Sequence, residues 1–135
     1  MNVYLNGARR IIKLDTQGAF HSKYLKNISK EFESYLKKYK FENKEKNSVN
    51  IYYNYTGNKE INTDENIHKL LVKQLYSKVK FLQIIENMLD DGIDTFYEIG
   101  TGGNLAFHIN NIAKTKKKEI KVYKINNYED FKGVI

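Results

Sequence analysis

His21 is the residue of this 135-residue chain best placed to do chemistry. It stands in Gly18-Ala19-Phe20-His21-Ser22, a tight loop that follows an apolar stretch. Imidazole is the side chain whose unperturbed pKa lies nearest neutrality, so in such a loop it can take up a proton and return it. A general base needs a hydroxyl or thiol to activate. The sequence holds no Gly-x-Ser-x-Gly elbow and no cysteine, so neither kind of nucleophile is in view. The residues read as half of a catalytic pair. The other histidines, His68 and His108, stand about 40 residues apart with no acidic ligand set beside them, and no metal site is expected.

The elements that must hold His21 alternate between strands and helices. Ile11, Ile12 and Leu14 predict a short strand over Arg10–Leu14. Leu25, Ile28, Phe32, Tyr35, Leu36 and Tyr39 recur at helical spacing and predict an amphipathic helix of about four turns. Lys40 to Ser48 is a charged connection, Val49–Tyr53 a β-branched and aromatic strand, and Asn54–Asn58 a turn. Thr63, followed by Asp64 and Glu65, is a hydroxyl cap with acids on the positive end of a helix that runs to about Leu75. A further helix covers roughly Lys80 to Asp91 and stops at Gly92, which tolerates a left-handed exit. Thr95–Ile99 is a buried-looking strand. Gly100-Thr101-Gly102-Gly103 turns into a helix through Leu105, Ile109 and Ile112, and Ile120–Ile125 is a last strand. The order β-α-β-α-α-β-α-β predicts an α/β layered domain with a largely parallel sheet.

Composition narrows the class. A hydrophobic content of 41% is enough to build a core, and no apolar run approaches the roughly 20 residues of a membrane helix. The amino-terminal residues lack the apolar core of a signal peptide, and the absence of cysteine excludes disulfides and thiolate zinc sites, so a cytoplasmic location is expected. The net charge of +7 is concentrated. Setting aside Lys114, Lys116, Lys117 and Lys118 leaves +3. Arg9 and Arg10 are the only arginines, so the basic residues read as a solvated lysine-rich loop rather than a nucleic-acid reader. An acidic macromolecule such as a carrier protein is compatible with that field.

Five blocks then carry a family resemblance. They are Gly7-Ala8-Arg9-Arg10 with its strand, Gly18-Ala19-Phe20-His21-Ser22, Tyr53-Asn54-Tyr55-Thr56-Gly57, Leu71-Val72-Lys73-Gln74-Leu75 and Phe96-Tyr97-Glu98-Ile99-Gly100-Thr101-Gly102. In this order, from about Gly7 to Ile125, they resemble the carboxy-terminal part of malonyl-CoA:acyl-carrier-protein transacylases. The resemblance implies the carboxy-terminal part of an α/β-hydrolase-like acyltransferase domain, preceded by the last strand of a ferredoxin-like subdomain. Residues 1–15 would end the small subdomain and 16–135 would belong to the large one.

It also implies a two-step acyl transfer. A serine on a Gly-His-Ser-Leu-Gly elbow takes the malonyl group from malonyl-CoA, and the phosphopantetheine thiol of an acyl carrier protein collects it. His21 matches the histidine that activates the serine and protonates the departing thiol. Gln74 matches a position whose main-chain carbonyl orients that histidine. Phe20 resembles the bulky residue that favours malonyl over methylmalonyl units, with a core-packing ring as the competing reading. Such exclusion of one methyl is worth about 1–3 kcal/mol. Beyond these substrates the resemblance implies no cofactor. The Gly-Thr-Gly-Gly turn matches neither a dinucleotide fingerprint nor a P-loop, and it reads as a structural turn equivalent to the family's Gly-Pro-Gly. Thr101 stands in for that proline, Lys78 for a second proline and Phe81 for a tryptophan.

The departures that matter are missing motifs. These 135 residues contain neither the Gly-Gln-Gly-Ser loop of the oxyanion hole nor the serine elbow. The arginine that pairs with the malonyl carboxylate is also unmatched, since Arg9 and Arg10 fall on the strand before the histidine loop. Alone, the chain is expected not to turn over, and a complementing amino-terminal half becomes a candidate partner. The alternatives are a non-catalytic module that binds an acyl carrier protein, or a fragment of a polyketide-type acyltransferase domain. Neither nucleic acid nor membrane is expected as a partner.

Overall fold

Local signals start two of the α-helices. In the computed structural model, which describes residues 17–41, 49–101 and 103–133, Thr63 is extended and its hydroxyl accepts the Asn66 N–H at 3.2 Å. That cap starts α2 (Asp64–Leu75), which follows α1 (Ser29–Leu36). Next come α3 (Phe81–Asp90), β1 (Thr95–Ile99), α4 (Leu105–Thr115), β2 (Lys121–Ile125) and α5 (Tyr128–Lys132). Gly92, at φ 86°, takes the left-handed exit from α3 expected of a glycine.

β1, α4 and β2 form one β-α-β unit. The two strands pair in parallel from Thr95 opposite Lys121 to Ile99 opposite Ile125, and α4 makes the crossover that parallel pairing requires. The core gathers where α3 and α4 meet this sheet. Ile84, Ile85 and Leu89 from α3 pack with Phe96 from β1 and with Ile109 and Ala113 from α4. Apolar residues at helical spacing on α3 and α4 thus share one buried cluster with the inward residue of β1. α1 packs on α2 as a second helix pair.

Three expected elements change. The four-turn helix from Leu25 becomes a 3₁₀ turn (Lys23–Lys26) followed by the two turns of α1. The Ser29 hydroxyl donates to the Lys26 carbonyl at 2.7 Å, taking an acceptor that a continuous helix would use, so side chain and backbone compete at the break. Val49–Tyr53 forms no strand. Its pairing is a single bridge, Tyr52 with Lys59, because the chain folds back through Tyr53 and Asn58. β-Branched residues favour a pleated surface, and a strand appears only where a neighbour supplies one. β1 is also less enclosed than expected: Phe96 and Glu98 point inward, whereas Tyr97 and Ile99 are exposed. The strand expected at Arg10–Leu14, the Gly7–Arg10 block and the proposed 1–15 subdomain lie outside the described residues.

Candidate active site

The loop that carries His21 is held from within. Ser22 donates its hydroxyl to the Ala19 carbonyl at 2.6 Å and accepts the Tyr24 N–H at 3.4 Å, which closes the loop and starts the 3₁₀ turn. That hydroxyl is committed to structure and makes no bond to the imidazole. His21 itself sits at φ 55°, in the left-handed region that a non-glycine residue seldom occupies. Such a conformation costs of order 1–3 kcal/mol and persists only where surrounding contacts over-determine it.

One of those contacts crosses 53 positions of sequence. His21 Nδ1 lies 2.9 Å from the Gln74 carbonyl. Gln74 is in the last turn of α2, where carbonyls have no N–H partner further along the helix and are free to accept. A carbonyl oxygen can only accept, so the bond places the proton of the neutral ring on Nδ1 and leaves a lone pair on Nε2. The ring is exposed. Phe20, beside it, is 69% exposed and is not a core residue. A side chain at position 18 would meet the Phe20 ring at 3.1 Å, so Gly18 makes room for that ring.

Over 129 residues the chain is 34% identical to the malonyl CoA-acyl carrier protein transacylase of Staphylococcus aureus, covering 94% of the chain and 39% of that protein. The corresponding protein of Bacillus subtilis is 28% identical over 125 residues, covering 92% of the chain and 37% of that protein. The relatives are malonyl CoA-acyl carrier protein transacylases, matched over their carboxy-terminal part.

Solved transacylases share the fold. The enzyme of Streptococcus pneumoniae superposes with a TM-score of 0.81 at 24% identity, over 98% of this chain and 40% of that one. The enzyme of Coxiella burnetii gives 0.82 at 19% identity, over 98% and 39%. A malonyl-transacylase solved with a type II polyketide acyl-carrier protein gives 0.79 at 22% identity, over 94% and 38%. The chain therefore spans about two fifths of the length of the transacylases it matches. No protein-family profile matches it.

The glycine-rich turn before α4 has its own anion. Glu98 points inward from β1 and accepts the Leu105 N–H at 3.0 Å and the Ala106 N–H at 2.9 Å, one on each carboxylate oxygen. Asn104 makes no cap with its side chain, so the carboxylate occupies the positive end of the helix. These bonds, Ala106 first, hold the Glu98 carboxyl below the usual carboxylate range against the opposing effect of burial, and Lys124 adds to them. Gly103 is needed for space: a Cβ there would stand 2.0 Å from Glu98 Oε1. This arrangement supports the structural reading of the turn. Glu98 was not singled out from sequence, although its inward place in the alternation of Thr95–Ile99 is a signal that could have found it.

Several other titratable groups tie scaffold elements together. Tyr52 donates to Asp91, and Lys59 pairs with the same carboxylate at 2.9 Å, tying the loop after residue 49 to the end of α3. Burial, with help from Asp91, pushes the Tyr52 phenol up to about 12. His108 is exposed and its ring meets Phe107 edge-on at 5.5 Å. His68, by contrast, bonds the backbone at three points. Among the described residues no cluster of three His, Asp or Glu side chains converges as for a metal, and no helix is long and apolar enough to cross a membrane.

Proposed function

We propose that this chain supplies the proton-shuttling histidine of a malonyl-CoA:acyl-carrier-protein S-malonyltransferase of fatty acid biosynthesis. The nucleophilic serine would stand on polypeptide outside these 135 residues, either continuous with them or in a complementing amino-terminal half. The observation that carries the reading is the 2.9 Å contact between His21 Nδ1 and the Gln74 carbonyl. It sets the tautomer that a general base needs and leaves Nε2 open to a partner.

In the first half-reaction Nε2 removes the serine proton as the oxygen attacks the thioester carbonyl of malonyl-CoA. The proton then passes to the sulfur of the departing coenzyme A, and the malonyl group stays on the serine as an ester. In the second half-reaction His21 takes the proton of the phosphopantetheine thiol of the acyl carrier protein and returns it to the serine oxygen as the new thioester forms. Gln74 acts through its main chain as a positioning residue. Phe20, beside the base, would crowd an α-methyl group and so favour malonyl over methylmalonyl units. No cofactor takes part in these steps, and the setting is the cytoplasm.

The test pairs the chain with the amino-terminal part of a related transacylase that carries the serine elbow. Malonyl transfer from malonyl-CoA to holo carrier protein is expected from the pair and from neither part alone. In that pair, His21→Ala slows serine acylation by about 10²–10⁴-fold, the range for losing a general base. Acylation at the parent rate in the variant would reject the assignment.

A further inference from the structure

His68 is held by acceptors on both sides of its ring. Nδ1 lies 2.8 Å from the Asp64 carbonyl, while Nε2 lies 2.9 Å from the Leu36 carbonyl and 3.1 Å from the Tyr39 carbonyl. A neutral imidazole carries one N–H, so in either tautomer one ring lone pair would face a carbonyl lone pair. Only the imidazolium donates in both directions. The side chain is 14% exposed, and the Phe41 ring meets it edge-on at 5.0 Å. Asp64 supplies a counter-charge, with Oδ1 3.6 Å from Nδ1, and the same oxygen accepts the Phe41 N–H at 2.6 Å.

The three carbonyls belong to different elements. Leu36 is the last residue of α1, Tyr39 lies in the turn after it, and Asp64 is the first residue of α2. A cation at this point also meets the negative end of the α1 dipole. The other charged groups along this groove are Lys30 and Glu33 from α1, Lys37 just after it, and Glu65, Lys69 and Lys73 from α2. Glu33 and Lys37 pair with each other at 3.2 Å. The Tyr39 phenol bonds Tyr35 rather than the imidazole. The cationic ring therefore answers chiefly to the carbonyls and to Asp64.

We propose that protonated His68 is a clamp that locks the end of α1 onto the start of α2, releases when it loses its proton, and sets the helix register in which His21 reaches the Gln74 carbonyl. His21 precedes α1 and Gln74 lies in the last turn of α2, so the two contacts close opposite ends of one helix pair. The acceptors, Leu36 first, raise the His68 pKa above its ordinary value. A raised pKa in the folded state gives stability that is complete below about pH 6.5, the unfolded value, and is lost as pH rises through the folded one.

The experiment is a side-chain ¹⁵N NMR titration of the full 135-residue chain, without substrate and independent of any acyl transfer. His68 is expected to keep both ring nitrogens protonated at pH values where free imidazole is neutral. Urea unfolding across the same range should show the folding constant fall tenfold for each pH unit by which His68 is elevated. His68→Gln should remove that pH dependence and move the His21 tautomer toward the mixture of a free imidazole. A midpoint for His68 at or below about 6.5 overturns the clamp, whatever the variant does. Parallel stability–pH curves for parent and variant overturn it too, and an unchanged His21 tautomer in His68→Gln overturns its positioning role.

Discussion

Gln74→Ala separates the main chain of that residue from its side chain. The His21 ring bonds the carbonyl, which alanine retains, and alanine is at least as good a helix former as glutamine. The Nδ1–H tautomer of His21 should therefore survive the substitution. Gln74→Pro acts on the backbone: a proline in the last turns of α2 lacks the N–H and collides with the carbonyl four residues back, at about 3 kcal/mol. It displaces the acceptor. A net hydrogen bond is worth about 0.5–1.5 kcal/mol, and an exposed one lies toward the lower end, so its loss should shift the His21 tautomer ratio by roughly twofold to fivefold. Long-range ¹H–¹⁵N spectra of the imidazole read that ratio directly, and circular dichroism reports whether α2 has survived. In the reconstituted transferase, Gln74→Ala should acylate serine at the parent rate. If Gln74→Ala alone depressed acylation as far as His21→Ala does, the main-chain account of this position would be refuted.

Three further outcomes test the scaffold. Gly103→Ala should drive the Glu98 carboxylate off the Leu105 and Ala106 N–H groups and lower the melting temperature. Because the folded pKa of Glu98 is depressed, Glu98→Gln should cost stability above the ordinary carboxylate range and progressively nothing as pH falls through the folded pKa, as read from urea midpoints against pH. Leu89→Ala, at a side chain 2% exposed in the α3–α4 core, should cost about 2–5 kcal/mol in chemical denaturation, the range for an aliphatic core truncation.

What could be read along the chain was whatever depends on neighbours in sequence. The Thr63 cap, the Gly92 stop and the apolar spacing of α3 and α4 act within a turn or two, and each appears where the pattern put it. Asn127, which caps α5 by accepting the Glu129 and Asp130 N–H groups, is an equally local signal, and it passed unread. Val49–Tyr53 shows the opposite case. Its β-branched residues state a preference that only a neighbouring strand can satisfy, so composition could not decide its fate. The two-piece helix after His21 turned on a single hydroxyl taking a carbonyl, and periodicity is blind to that competition.

The candidate site divides along the same line. By itself the sequence determined that an imidazole stands in a glycine-bounded loop, that no cysteine accompanies it, and that its flanks resemble those of the transacylases. Tertiary structure alone decided that the Gln74 carbonyl lies 2.9 Å from Nδ1, that Glu98 fills the start of α4, and that His68 is surrounded by three carbonyl oxygens. The physical reason is that these contacts are made to main-chain atoms. Every residue carries the same carbonyl and all but proline the same N–H, so only the path of the chain determines which of them a side chain meets.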